Sequence, residues 1–76
     1  MSSTYSFNLT ADRVGVDTRA RYGYWERRDG SEGGGLWFER KGDTLQLVDF
    51  DGAGTLPPAI VSALRGLGLE VSDDFC

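Results

Sequence analysis

The stretch GGGLWFERKGDTLQLVDF, residues 33–50, places two β-prone segments on either side of a Gly-Asp pair. A Gly-X pair between two such segments is typical of a two-residue type II′ hairpin turn. We therefore predict a β-hairpin of residues 35–41 and 44–50 about Gly42 and Asp43.

Counting outward from this turn shows which side chains share a face, because directly opposed residues of a hairpin point the same way. Phe38 is then opposite Leu47, and Trp37 is opposite Val48. One face collects four apolar residues and is the predicted core side: Leu36, Phe38, Leu45 and Leu47. The other face collects Trp37, Val48 and Phe50.

The three glycines before Leu36 are explained by the strand that precedes them. An Asp29-Gly30 pair can form a type I′ turn. The pairs that follow from this turn are Tyr22 with Trp37, Tyr24 with Gly35, and Trp25 with Gly34. Glycines opposite large aromatic residues leave room for the rings to lie across the strand. A looser loop over residues 29–34, with glycines at positive φ or in a bulge, is the alternative.

The N-terminal third predicts further strands. TYSFNLT, residues 4–10, alternates apolar and polar residues, which is the period-two pattern of a half-buried strand. RVGVDTRA, residues 13–20, repeats the pattern more weakly. A short helix from Ala11 competes there, so residues 11–20 stay open between strand and helix.

One helix is indicated near the C-terminus. Thr55 or Asp51 can cap it, and the two prolines at 57 and 58 suit a first turn. Its apolar face contains Ile60, Val61, Leu64 and Leu67. Arg65 complements the helix dipole in the last turn, and Gly66 and Gly68 end the helix. LEV, residues 69–71, adds a short final strand.

These elements predict a single domain, residues 1–76, of the α+β class. We expect an antiparallel sheet of about four to five strands with one C-terminal helix packed on one face. The opposite face then carries a surplus of aromatic residues that suits an interface: Tyr22, Tyr24, Trp37 and Phe50. Cover by the N-terminal strand or loop is the alternative.

Enzymatic chemistry is not indicated. The chain has no histidine, so the commonest general base and transition-metal ligand is missing. Cys76 lies at the last position without a partner for catalysis or for a disulfide. A calcium loop starting at Asp49 fails, because Ala53 and Ile60 occupy the fifth and twelfth positions. We expect no catalytic centre, no metal and no cofactor.

The charge is unevenly distributed. The net charge is −4, yet residues 43–76 contain six acidic side chains and one basic side chain. This half favours a basic partner and argues against direct binding of nucleic acid, although a solvated acidic surface would look the same. RARYGYWERR, residues 19–28, resembles a nucleic-acid patch locally, but neighbouring acids neutralise it, and we expect its arginines to form cross-strand ion pairs.

No apolar run is long enough to span a bilayer, and the N-terminus shows no secretion signal. These features predict a cytoplasmic protein that does not bind membranes. Separately, we expect a monomer.

In size, charge and fold type, the whole chain resembles the small acidic proteins of phages and mobile elements, including the anti-CRISPR inhibitors. No shared motif is involved. The resemblance implies a protein partner in a bacterial host cell, such as a DNA-recognising subunit of a CRISPR interference complex, blocked by an acidic DNA mimic. From the charge pattern, the expected partner-binding residues are Asp49, Asp51, Glu70, Asp73 and Asp74. A structural or regulatory interaction domain that uses the aromatic face is the alternative.

Overall fold

A computed structural model describes residues 4–52 and 54–75 of the chain. The elements in order are β1 (Thr4–Asn8), β2 (Asp12–Asp17), β3 (Tyr22–Arg27), β4 (Gly33–Lys41), β5 (Thr44–Phe50), α1 (Pro58–Gly66) and a short 3₁₀ helix (Asp73–Phe75). The five strands form one antiparallel sheet in the order β1-β2-β3-β4-β5. The α+β prediction is confirmed, and the open segment 11–20 contains strand β2. The expectations for Ala53 and Cys76 concern residues outside the described ranges.

The β4–β5 hairpin forms about the predicted turn. Gly42 has a φ of +61°, whereas Asp43 keeps a negative φ, which is the φ pattern of a type II′ turn. Phe38 pairs with Leu47, as the count from the turn predicts.

Farther from the turn, the register of β4 and β5 shifts by one residue. Trp37 pairs with Asp49, and Leu36 pairs with Phe50, so the predicted Trp37–Val48 pair is wrong. Val48 is the extra residue of a β-bulge, which reverses the face of every later residue of β5. Phe50 therefore lies on the same face as Leu36.

Strands β3 and β4 have the predicted register but a different turn. Tyr22 pairs with Trp37, as predicted, and the other two predicted pairs form as well. The type I′ turn is wrong, because only Gly30, at +80°, has a positive φ there. The Arg27 N–H donates to the Glu32 carbonyl at 2.8 Å and closes a four-residue loop. Within this loop, hydrogen bonds from the Ser31 side chain and backbone hold the pKa of Asp29 below its ordinary 3.8.

Gly34 serves a close approach rather than a turn. A Cβ at this position would collide with Asp51, which follows the end of β5. The indole Nε1–H of Trp25 donates to the Asp51 carbonyl at 2.7 Å. Gly34 thus admits the segment that covers the largest buried side chain of the core.

The core lies between α1 and one face of the sheet, which we call the helix face. Helix α1 buries Ile60, Val61 and Leu64. The four residues predicted for the core side are all buried, and the helix face of β2 and β3 adds Val14, Val16 and Trp25. Burying a large apolar side chain contributes about 1.5–3 kcal/mol, so these residues supply most of the driving force for folding.

The ends of α1 differ in how far they follow expectation. The N-cap is Pro57 and makes no side-chain hydrogen bond, so the predicted capping by Thr55 or Asp51 is wrong. The two consecutive prolines restrict the backbone at the start of the helix, so the helix begins there without a capping side chain. At the other end Gly68 has a φ of +87°, and the Leu69 N–H donates to the Leu64 carbonyl at 3.3 Å. This is a Schellman motif and confirms the predicted termination.

The chain after α1 runs beside β5. The Glu70 N–H donates to the Leu45 carbonyl at 2.8 Å, and the Leu47 N–H donates to the Glu70 carbonyl at 2.9 Å. This single parallel bridge is the form that the predicted final strand takes. Farther along, the rings of Phe50 and Phe75 meet edge to face, with centroids 5.7 Å apart. Residues 70–75 therefore run in the same direction as β5.

The predicted N-terminal strand forms as β1, but it is an exposed edge strand, so only its predicted half-burial is wrong. All five of its residues are exposed. Tyr5 and Phe7 point to the helix face, because they pair with Val16 and Val14. Among the strands, helix α1 lies closest to β2, and it leaves an apolar groove beside β1.

Candidate functional site

The five acidic residues predicted to bind a partner lie along one edge of the sheet, which we call the acidic edge: Asp49, Asp51, Glu70, Asp73 and Asp74. All five are exposed. Two of them belong to the end of β5 and the residue after it, and three belong to the segment 70–75. Because this segment follows β5, residues that are about twenty positions apart in sequence lie beside one another.

The carboxylates of this edge do not all point the same way. Asp49 pairs with Trp37 and lies on the face away from the helix, whereas the Cβ of Asp51 lies over Gly34 on the helix face. Alternation along a strand predicts that both carboxylates lie on the side opposite the ring of Phe50, and this prediction holds for Asp49 but is wrong for Asp51. The reason is that β5 ends at Phe50, and Asp51 then crosses to the helix face, where its carbonyl accepts the hydrogen bond from Trp25. The edge therefore presents carboxylates to both sides of the sheet.

Arg65 attaches the segment 70–75 to the helix. Its guanidinium donates to the Val71 carbonyl at 2.6 Å and pairs with the Asp73 carboxylate at 3.2 Å. The Asp73 side chain is 98% exposed, so solvent screens this ion pair. The hydrogen bond to the backbone carbonyl thus makes the larger contribution to holding the segment in place.

The second predicted surface is the face of the sheet opposite α1, which we call the outer face. Tyr22, Tyr24 and Trp37 are 43%, 45% and 38% exposed there. The rings of Tyr22 and Trp37 meet edge to face with centroids 5.6 Å apart. Phe50 is not part of this surface, because the bulge places it on the helix face, where it packs against the core.

Glycines make the aromatic surface flat. A Cβ on Gly35 would lie 2.9 Å from the Trp37 ring and 3.2 Å from the Tyr22 hydroxyl, and a Cβ on Gly15 would collide with the Tyr24 ring. The rings therefore lie over glycines, as the sequence predicts, but Gly35 makes room for Trp37 and Tyr22 rather than for its directly paired Tyr24, which lies over Gly15. Strand β1 pairs in the plane of the sheet with β2 and does not cover them. Within the described ranges, the alternative of cover by the N-terminal strand is wrong.

A basic groove was not foreseen from the sequence. Arg19, Arg21 and Arg40 line it at the end of the sheet where β5 begins, and its volume is about 450 Å³. The predicted cross-strand ion pairs form for Arg27, with Asp12 at 2.8 Å, and not for Arg19, Arg21 or Arg28 among the described residues. Two of the groove arginines are close in sequence, but the third comes from another hairpin, so only the folded chain brings them together.

Other site types are not found in the described part of the chain. It contains no group of three or more histidine, cysteine, aspartate or glutamate residues that could hold a metal ion. It also contains no helix of the length and apolar character needed to cross a membrane. No family model, curated protein or solved structure matches the chain.

Proposed function

We propose that this chain is a non-enzymatic binding protein whose acidic edge occupies the basic, nucleic-acid-binding surface of a protein partner. The observation that carries the proposal is the alignment of residues 70–75 with β5, which gathers five exposed carboxylates on one edge. Duplex DNA carries a phosphate about every 1.7 Å along its axis, so a DNA mimic needs several carboxylates held together.

The acidic edge is suited to this role because contacts with β5 fix the backbone of the segment 70–75. One end of the segment 70–75 is fixed by the backbone bridge to β5 and the other by the contact of Phe75 with Phe50. A held array loses less conformational entropy on binding than a flexible acidic tail would. Carboxylates in fixed positions can therefore replace phosphates in a groove lined by arginine and lysine.

The charge of the chain supports a protein partner over direct binding of nucleic acid. The net charge of −4 and the acidic edge repel phosphates. In the setting that the anti-CRISPR resemblance implies, the protein acts in the cytoplasm of a bacterial host and blocks a subunit of an interference complex that recognises DNA.

Charge reversal tests this proposal. The Asp73→Lys/Asp74→Lys double variant is expected to lose binding while it keeps its fold, because both side chains are exposed and lie outside the core. The measurement is affinity capture from a bacterial lysate at low and high salt, followed by competition with duplex DNA. Proteins retained by wild type should be released by salt and by DNA, and should not be retained by the variant.

The matched control is Glu32→Lys/Asp43→Lys. It changes the net charge by the same amount at two exposed loop positions that do not belong to the acidic edge. This control should still capture the partner. Equal capture by all three proteins, or capture that duplex DNA cannot compete, would show that the acidic edge is not the binding surface.

A second candidate function is an interaction domain that binds through the outer face. The observation in its favour is that three aromatic side chains are exposed together: Tyr22, Tyr24 and Trp37. An interface of this kind should respond weakly to salt, whereas the acidic edge should respond strongly. This candidate would be favoured if the partner is still captured at high salt and by the charge-reversed variant, but is not captured by Trp37→Ala or Tyr22→Ala.

A further inference from the structure

On the outer face, the strand register places two aromatic residues next to each other with an acidic residue at each end. Asp17 pairs with Tyr22, Tyr22 pairs with Trp37, and Trp37 pairs with Asp49. Directly paired residues of neighbouring strands point to the same side of the sheet. Two aromatic rings thus lie side by side between two carboxylates, and we call this set the aromatic–acidic row.

Each group in the row is available to a ligand. Tyr22 and Trp37 are exposed, and both rings lie low over Gly35. The Asp17 carboxylate accepts hydrogen bonds from the N–H groups of Arg19 and Ala20 through Oδ1 alone. The Asp49 carboxylate likewise accepts the Phe50 N–H through Oδ1 at 2.8 Å. The second oxygen of each carboxylate makes no hydrogen bond to the described residues.

These groups favour a cation that is also flat. A guanidinium can stack on an aromatic ring and donate two parallel hydrogen bonds to a carboxylate, and it is less strongly hydrated than an ammonium. Nucleic-acid bases also stack on exposed rings, but the carboxylates at both ends of the row would repel their phosphates. The strands give the outer face more acidic than basic side chains. The acidic ones are Asp17, Glu26, Glu39 and Asp49, and the basic ones are Arg13 and Lys41.

We propose that the aromatic–acidic row binds arginine side chains of the partner, stacked on Tyr22 and Trp37 and paired with Asp17 and Asp49. This inference rests on the proposed function, since it assumes a partner with a basic surface. Asp49 belongs to both the row and the acidic edge, so the two surfaces are continuous.

The spacing of the row suggests the form of the arginine-bearing segment. Neighbouring strands lie about 4.8 Å apart, so the two carboxylates are about 14 Å apart across three strand intervals. An extended peptide advances about 3.4 Å per residue, so arginines at positions one, three and five cover about the same distance. The outer arginines then meet the carboxylates, and the middle one lies over the rings.

Two peptides test the inference, each acetylated and amidated: Arg-Ser-Arg-Ser-Arg and Lys-Ser-Lys-Ser-Lys. Trp37 reports binding directly by fluorescence and by its indole N–H resonance, because the other tryptophan, Trp25, is only 1% exposed. Both peptides have the same charge, so a difference between them measures stacking and hydrogen-bond geometry. A guanidinium stacks on rings and pairs bidentately with carboxylates, whereas an ammonium is a more strongly hydrated point charge, so we expect the arginine peptide to bind about fivefold more tightly.

Variants assign this preference to the row. Tyr22→Leu should abolish it, whereas Tyr5→Leu should preserve it, since Tyr5 has the same exposure of 43% but lies on the helix face of β1. Asp17→Asn and Asp49→Asn should weaken both peptides and should reduce the preference without abolishing it, because an amide accepts no bidentate pair from a guanidinium while the stacking on the rings remains. Calorimetry gives the affinities, and a thermal melt of each variant shows that it is folded.

The inference is overturned if wild type binds both peptides equally, or if Tyr22→Leu keeps the preference. It is also overturned if the outer face pairs with a second copy of the chain, seen as a dimer in sedimentation that the arginine peptide does not dissociate. Wild type could show no preference for the arginine peptide while its capture of the partner still depends on Asp73 and Asp74. This result would contradict the inference about the aromatic–acidic row and would leave the proposed function unaffected. Wild type could instead prefer the arginine peptide while charge reversal at Asp73 and Asp74 leaves capture of the partner unchanged. This result would contradict the proposed function.

Discussion

At the scale of single residues, glycines decide how the two faces of the sheet are used. Gly34 admits the chain that covers Trp25 on the helix face, and Gly35 lets the rings of Tyr22 and Trp37 lie down on the outer face. Neighbouring residues of one strand point to opposite faces, so adjacent glycines meet different needs. The run of glycines is therefore a feature of packing on both sides of the sheet.

Phe38 provides the residue-scale test of the face assignment. It is 5% exposed and pairs with Leu47 in the core, so Phe38→Ala should lower the free energy of unfolding by about 3–5 kcal/mol. Val48→Ala is the control, because Val48 is the exposed bulge residue of the same hairpin and should cost about 0.5 kcal/mol or less. Urea melts measure both. A loss below about 1 kcal/mol for Phe38→Ala would contradict the assignment.

At the scale of elements, the sequence predicts the features that depend on residues close together in the chain. The type II′ turn at Gly42 fixes the near half of the β4–β5 hairpin, and alternation identifies its core face. The bulge at Val48 was missed, because the count outward from the turn assumes one residue opposite one residue throughout. The apolar–polar alternation of LQLVDF, residues 45–50, shifts its phase at Val48, and this shift is the signal that indicates the bulge. Its consequence reaches the candidate site, since it removes Phe50 from the aromatic surface and turns Asp49 toward Trp37.

Contacts between distant segments explain the other differences. The cover that Asp51 provides for Trp25 joins residues 26 positions apart, and hydrophobic periodicity does not report such a contact. The basic groove joins arginines of two hairpins with the end of the helix. The acidic residues themselves were identified from composition, but their common edge depends on the parallel path of residues 70–75.

Arg65 provides the element-scale test, because it ties this segment to α1. Arg65→Met removes the hydrogen bond to the Val71 carbonyl and the ion pair with Asp73, but keeps an unbranched side chain. Loss of a hydrogen bond that a charged group makes costs about 1.5–3 kcal/mol, less where solvent can replace it. We expect faster hydrogen exchange at the Leu47 and Leu56 amides, which donate to carbonyls of the segment, and unchanged exchange in β3.

Lys41→Met is the control for this experiment, since Lys41 is exposed at the end of β4 and forms no ion pair with the described residues. It should leave every protection factor unchanged. Slow exchange at Leu47 and Leu56 in Arg65→Met would mean that the bridge to β5 and the Phe50–Phe75 contact hold the segment without Arg65.

At the scale of the whole molecule, charge is separated along β5. This strand begins beside the basic groove, where Thr44 and Leu45 are part of the lining, and ends at the acidic edge. Glu70 is the exception among the acidic residues, since it bridges to Gln46 near the start of the strand. A charge separation of this kind orients a molecule as it approaches a charged partner. A basic surface would therefore meet the acidic edge first, with the outer face beside it.

The most direct test of the central claim is displacement of a labelled duplex from the captured partner by this protein, followed by fluorescence anisotropy. Wild type and the Glu32→Lys/Asp43→Lys control should displace the DNA, and Asp73→Lys/Asp74→Lys should leave it bound. The displacement should weaken steeply as salt is raised, because it depends on charges exposed to solvent. A partner that keeps its DNA in saturating wild-type protein, or loses it equally to all three proteins, would contradict the account.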